Sequence, residues 1–144
     1  MRLPSLEVRT RRAAELVEIT AEVRGAVRAA GVRDGAVLVY CPHTTAAVTI
    51  QENADPDVQT DLLLALEQAV PDRPARGVYR HGEGNSPAHV KASIVGSSAT
   101  AIVDGGELVL GAWQGIYLCE FDGPRVRKVE LAVLAPFRPG GTPG

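Results

Sequence analysis

From residue 99 onward, tight turns cut the chain into short stretches of strand character, and this punctuation limits the fold more than any other feature. Residues 99–103 and 107–110 flank Asp104-Gly105-Gly106, which reads as a hairpin turn because its glycines supply the positive φ that a two-residue connection demands. Residues 115–121 and 126–134 flank a second turn, Asp122-Gly123-Pro124, and residues 126–134 (VRKVELAVL) alternate as a half-buried strand does. Strands joined this tightly run antiparallel, since a parallel pair needs a long crossover. Upstream, residues 5–10 and 14–19 read as two short strands around Thr10-Arg11-Arg12. Residues 36–41 (AVLVYC) form an almost unbroken apolar run, the mark of a buried strand, and Pro42 breaks it before residues 44–50 resume as strand.

Three stretches have helix signals instead. Thr20 is expected to cap a helix over residues 21–30, with Val23, Ala26, Val27 and Ala30 on one face and Gly31 closing it. Asp55-Pro56-Asp57 opens the clearest helix, over residues 56–70, with Asp55 as cap, Pro56 in the first helical position and Val58, Leu62, Leu66 and Ala69 as its buried stripe. Ser86-Pro87 marks the third, with Ser86 as the expected cap. The expected class is α+β: a single domain over residues 1–135, with about three helices on a mainly antiparallel or mixed sheet. A Pro/Gly-rich tail over residues 136–144 follows, and its final residues are expected to be disordered.

Composition removes some function classes. A net charge of −2 gives no reason to expect nucleic-acid binding. The N-terminus has no apolar segment of signal-peptide length and no run is long enough to span a bilayer, so no membrane role is expected and a cytoplasmic location is the default. Cys41 and Cys119 both sit inside apolar runs and read as buried free thiols in a reducing compartment.

All three histidines, His43, His81 and His89, lie in polar, turn-flanked segments. His81 and His89 bracket the turn Gly82-Glu83-Gly84-Asn85, and His89 falls in the first turn of the third helix, where free N–H groups and the helix dipole favour an anion. Neutral imidazole is a common ligand of zinc and similar ions, so the three could together hold a metal; equally, they could serve only to hydrogen-bond turns. Glu52, directly after a strand, stands where a ligand or general base would, whereas Asp55 is accounted for by capping and Asp61 by solvent. Thr44, Thr45, Asn85 and Ser86 offer hydroxyls, an amide and flexible backbone to a phosphate. Trp113 and Gln114 could wall a flat heterocycle. Arg125 could grip an anion bidentately or pair with Glu120 or Asp122.

Taken together, these residues resemble the YjbQ-like family, small proteins associated with secondary thiamine-phosphate synthase activity. The resemblance covers nearly the whole chain up to the tail. It rests on His43-Thr44-Thr45-Ala46, on Gln51-Glu52-Asn53 with Asp55-Pro56, on Asn85 through His89-Val90-Lys91-Ala92-Ser93, on Gly111-Ala112-Trp113-Gln114, and on Glu120-Phe121-Asp122-Gly123-Pro124-Arg125. Ala112 departs from the pattern, which usually has threonine there. The resemblance implies a homotrimer with sites where subunits meet, and a metal-dependent transferase that joins hydroxymethylpyrimidine diphosphate to thiazole phosphate and releases pyrophosphate. On that expectation His43, His81 and His89 hold a divalent metal, Mg or Zn, and Glu52, His43 and His89 act in catalysis. Thr44, Thr45, Asn85, Ser86, Trp113, Gln114 and Arg125 then bind the small phosphorylated heterocycles. Two alternatives use the same residues: a metal-dependent hydrolase of a small phosphorylated metabolite, and a trimeric metal- or anion-binding protein without turnover.

Overall fold

The computed structural model describes residues 1–135. In chain order the elements are β1 (Arg2–Arg9), β2 (Glu15–Glu18), α1 (Thr20–Ala29), β3 (Gly35–Tyr40), β4 (Ala46–Glu52), α2 (Pro56–Ala69), α3 (Ser86–Val95), β5 (Ser98–Asp104), β6 (Glu107–Val109), β7 (Gln114–Glu120) and β8 (Val126–Leu134). The strands form two sheets, a five-stranded one in the order β1-β8-β3-β5-β6 and a three-stranded one in the order β2-β7-β4. All the pairings are antiparallel. The expected α+β class is therefore found, with the strands divided between two layers.

The inner faces of the two sheets meet in one core. Val37, Val39, Val129, Leu131 and Val133 of the larger sheet share a buried cluster with Val48, Ile116 and Leu118 of the smaller, and Val23 and Val27 of α1 join them. The other face of the small sheet is also covered: Ala47, Cys119 and Phe121 pack against Ala88 and Ala92 of α3, with Leu63 and Leu66 of α2 beside them. β7 is thus a central strand with both faces in protein, and every residue from Gly115 to Glu120 is buried. That double burial explains why its sequence, unlike that of β8, does not alternate.

The β5–β6 hairpin forms as its turn residues require, with positive φ at Gly105 and Gly106 and Asp104 opposite Glu107. Elsewhere local signals yield to tertiary contacts. β1 and β2 do not pair with each other; β1 joins β8 and β2 joins β7, so the turn at Thr10-Arg11-Arg12 passes the chain from one sheet to the other. The β1–β8 register shifts between Leu3 and Leu6. Thr20 does not cap α1 from outside but opens it, because its hydroxyl donates to Glu18 and accepts from the Ile116 N–H. In α2, Asp55 caps as expected, accepting from the Asp57 N–H at 2.9 Å. The expected buried stripe is only half-buried, however, and Ala69 is exposed, because α2 rides on the small Ala47–Cys119–Phe121 cluster at the molecule's surface. Both cysteines are buried and free, and burial pushes the Cys119 thiol up to about 12. The tail over residues 136–144 lies outside the described residues.

Gly25 lies inside α1, exposed, and a β-carbon built there meets no atom within 4 Å. Gly25→Ala is expected to raise stability by about 0.4–1 kcal/mol, since it restricts the unfolded chain without clashing in the helix. Denaturant midpoints of the two proteins check this.

Candidate functional site

The candidate site begins where β3 stops. Tyr40 still pairs with Glu130, and the Cys41 N–H still donates to the Ser97 carbonyl at 2.7 Å, but Pro42 has no N–H to carry a ladder further. The imidazole of His43 fills the gap: its Nε2 accepts the Lys128 N–H at 2.9 Å. In the neutral ring the proton therefore sits on Nδ1. Burial and the nearby Arg127 guanidinium hold the His43 pKa below its ordinary value, which keeps it neutral at physiological pH.

Facing His43 is the start of α3. Asn85, not Ser86, is the cap residue, yet its side chain does not cap; its amide donates to Asp122 Oδ2 at 2.9 Å instead. Asp122 also binds Arg125, accepting from Nη2 on its carboxylate at 2.9 Å and from Nε on its carbonyl at 2.8 Å. Burial raises the Asp122 pKa, but the bonds from Asn85 and Arg125 outweigh it and hold it below the usual carboxylate value. With its amide nitrogen committed to Asp122, Asn85 keeps its carbonyl oxygen for something else. That Oδ1 is buried without a hydrogen-bond partner, and so is His89 Nε2, one turn along the helix. The His81 ring stands edge-on to His89, centroids 5.1 Å apart.

Between these walls lies a cavity of about 320 Å³ bounded by Pro42, His43, Thr44, Thr45, Glu83, Asn85, His89, Arg125 and Arg127, so one carboxylate lines it beside the two guanidinium groups. A second, of about 430 Å³, shares His43, Thr44 and His89 and continues toward Ser93 and Ser97. A larger cavity, of about 460 Å³, lies under the loop that contains Pro74 and Tyr79 and reaches His81 and Ser86. We place the site in the first two, because His89 lines both and Asn85 the first, and their side chains have unpartnered buried polar atoms; the larger cavity has a cationic side chain, Arg73, but neither of those residues.

Two residues outside the predicted site support this wall: Arg127, and Glu120, which was expected only as a possible partner of Arg125 and instead pairs with Arg127. Arg127 is 4% exposed and Glu120 0%, and Arg127 grips Glu120 through Nε at 2.7 Å and Nη2 at 2.5 Å. Parity gave a signal for Arg127: it shares a strand face with Val129, Leu131 and Val133, so a charge there points inward and needs a partner. Burial raises the Glu120 pKa, while bonds from Arg127, the Asp122 N–H and Thr10 outweigh it and hold it low.

Of the residues singled out from sequence, His43, Thr44, Thr45, Asn85, His89 and Arg125 line one cavity, while His81 and Ser86 line the neighbouring one. Thr45 is buried and bound to Arg127, and the guanidinium of Arg125 is paired with Asp122. Glu52, Trp113 and Gln114 sit elsewhere. The β4–β7 register sets Ala46 opposite Glu120 and Glu52 opposite Gln114, so within one chain they lie at the far end of the small sheet. Seven residues of strand put them about 20 Å away. The expected three-histidine metal site needs correction. His43 Nε2 is occupied by a backbone N–H, and no three His, Cys, Asp or Glu side chains among the described residues are grouped to hold a metal ion.

The fold and site define a small α+β protein of two antiparallel sheets with a polar cavity at one end. A family model described as UPF0047 protein YjbQ-like matches residues 4–136, and the chain belongs to that family. It is 50% identical over 132 residues to the UPF0047 protein YugU of Bacillus subtilis, covering 92% of this chain and 98% of that one. A UPF0047 protein of Methanocaldococcus jannaschii is 43% identical, with 89% and 91% covered. Among solved structures, an uncharacterized YjbQ/UPF0047 protein of Clostridium acetobutylicum superimposes with a TM-score of 0.86 at 49% identity, covering 91% of this chain and 99% of that one. A protein of unknown function from Sulfolobus solfataricus gives 0.86 at 31% identity, with 93% and 96% covered.

These findings overturn the expected metal-dependent transferase. The relatives are named only as UPF0047 or uncharacterized proteins, with no thiamine-phosphate synthase activity attached, and the described residues of one chain group no set of ligands for the metal that chemistry called for. The metal-dependent hydrolase loses its footing in the same way. No helix among the described residues is long and apolar enough to cross a membrane.

Because the Glu120 pKa is depressed in the folded state, its contribution to stability is present above the ordinary carboxylate value of about 4.3 and lost as pH falls through the lower folded value. Unfolding midpoints are expected to drop on acidification from neutral pH to about pH 3. Glu120→Gln should be less stable at neutral pH and less sensitive to acid, and an equal acid dependence in the variant would assign the loss to other carboxylates.

Proposed function

We propose that this chain binds a small phosphorylated molecule in the cavity between His43 and the start of α3, and that His89 hydrogen-bonds to it through Nε2. The observation that carries this reading is the pair of buried, unpartnered polar atoms, Asn85 Oδ1 and His89 Nε2, on a cavity that also meets Arg125 and Arg127. A buried polar atom without a partner is costly, so the pair marks a place where a ligand's donors and acceptors are rewarded. Phosphate oxygens accept from the neutral His43 ring at Nδ1 and from the Thr44 hydroxyl, while a ligand hydroxyl donates to Asn85 Oδ1. Arg125 and Arg127 are paired with Asp122 and Glu120, and Glu83 also lines the cavity, so the anion is held by directed hydrogen bonds and not by unpaired positive charge.

Calorimetric titration with pyrophosphate and phenyl phosphate tests this. His89→Ala is expected to weaken binding by about tenfold to a hundredfold, the range for losing a hydrogen bond to a charged group, at nearly unchanged melting temperature. If the unmodified protein binds neither probe, the reading fails.

We also propose a second copy of this chain as a partner, in the homotrimer that the family resemblance implied. The outer face of the five-stranded sheet supports it: Val109, Ile102, Ala36 and Leu134 follow one another across four strands, and three of the four are more than half exposed. Light scattering at micromolar concentration is expected to give three times the chain mass, and a monomer would contradict it.

A further inference from the structure

Arg127 and Glu120 do not need each other for solubility or to close a surface; both are inside the protein. Removing two charges from water is unfavourable, and well-packed apolar residues often serve stability as well or better. What distinguishes this pair is where its remaining bonds go. Glu120 Oε1 accepts the Asp122 N–H at 2.9 Å, and Oε2 accepts the Thr10 hydroxyl at 2.9 Å. The same Thr10 oxygen accepts the Arg125 N–H at 2.8 Å. Arg127 Nη2 donates to the Thr45 hydroxyl at 2.9 Å and reaches its carbonyl at 3.3 Å. Each bond therefore leads to a residue of the cavity or to one that holds it. Thr45 is on one wall, Arg125 on another, and Asp122 fixes which way the Asn85 amide faces.

We propose that the buried Glu120–Arg127 ion pair is the positioning device of the cavity, setting Thr45 directly, Arg125 through Thr10, and Asn85 through Asp122. The bidentate fork gives the pair one geometry, and three strands are tied to it: β7 through Glu120, β8 through Arg127, and the end of β1 through Thr10. A lysine or glutamine could keep a bond or a charge, but not the fork that registers both walls at once.

The inference rests on the phosphate-binding reading for its ligand, so the experiment includes a readout that does not. Thr10→Val leaves both ions in place and removes the hydroxyl that donates to Glu120 and accepts the Arg125 N–H, while the backbone bond from the Thr10 N–H to the Arg125 carbonyl at 2.9 Å remains. It is expected to fold with a melting temperature within a few degrees of the original, to bind pyrophosphate about threefold to tenfold more weakly, and to show faster hydrogen exchange at the Arg125 backbone amide. The double variant Glu120→Leu/Arg127→Met replaces the pair with apolar bulk. It is expected to lose at least about tenfold in pyrophosphate affinity and to speed exchange at the Asn85 side-chain amide. A folded double variant with unchanged affinity and unchanged Asn85 exchange would overturn the proposal, as would Thr10→Val with neither effect. If the unmodified protein does not bind pyrophosphate, the phosphate reading falls and the exchange rates alone still decide the positioning role.

Discussion

A carboxylate sealed inside a protein must be met by an opposite charge and by enough donors to replace its water, and Glu120 imposes that requirement on everything around it. It sits at the end of β7, the strand with protein on both faces, so no relaxation toward solvent is open to it. Four donors from three neighbouring segments converge on its two oxygens: two from Arg127, one from Thr10 and one from the Asp122 backbone. The sheet pairings bring these segments near, and the carboxylate fixes their final arrangement. One wall of the cavity, with Arg125 and Arg127, continues the same segments, and the others come from the β3–β4 connection and the start of α3.

The other end of the small sheet has a different character. Tyr117 is buried but sends its hydroxyl to the Glu52 carbonyl and receives the Gln59 amide, so the polar groups there satisfy one another. Trp113 is 65% exposed beside them. Among the described residues the length of β4 separates this region from His43, and a joint role for Glu52 or Trp113 with the histidines would need a neighbouring subunit to bridge it.

Much of the fold could be read from local patterns because local physics decides it. β8 has the same bounds as the alternating stretch 126–134, and the hairpin at Gly105-Gly106 follows from positive φ. The partition into two sheets could not be read, since nothing in residues 5–19 says that the strands on either side of Thr10 belong to different layers. The site was legible in part. His43, Asn85 and His89 stand out by residue type and turn context, and they do share a cavity with Thr44, Thr45 and Arg125. Their chemistry was misread because histidine clustering along a sequence does not say what each nitrogen already binds. His43 Nε2 is held by a backbone N–H left over where Pro42 ends a strand, a long-range event with no local signature. Arg127 was passed over because it sits in a run of charges, although its parity with Val129 and Leu131 marked it as inward.

The irregular borders of the larger sheet have a consequence for how this protein meets its own kind. At one margin β1 carries Pro4, which has no N–H to offer, at the place where its register slips between Leu3 and Leu6. At the other margin β6 is three residues long. Neither margin presents the straight row of free donors and acceptors on which a second chain could zip and extend the sheet without end. Growth by strand addition is therefore discouraged at both borders, and the sheet's exposed apolar surface lies on its broad side, at Val109, Ile102 and Leu134, and not along its rims.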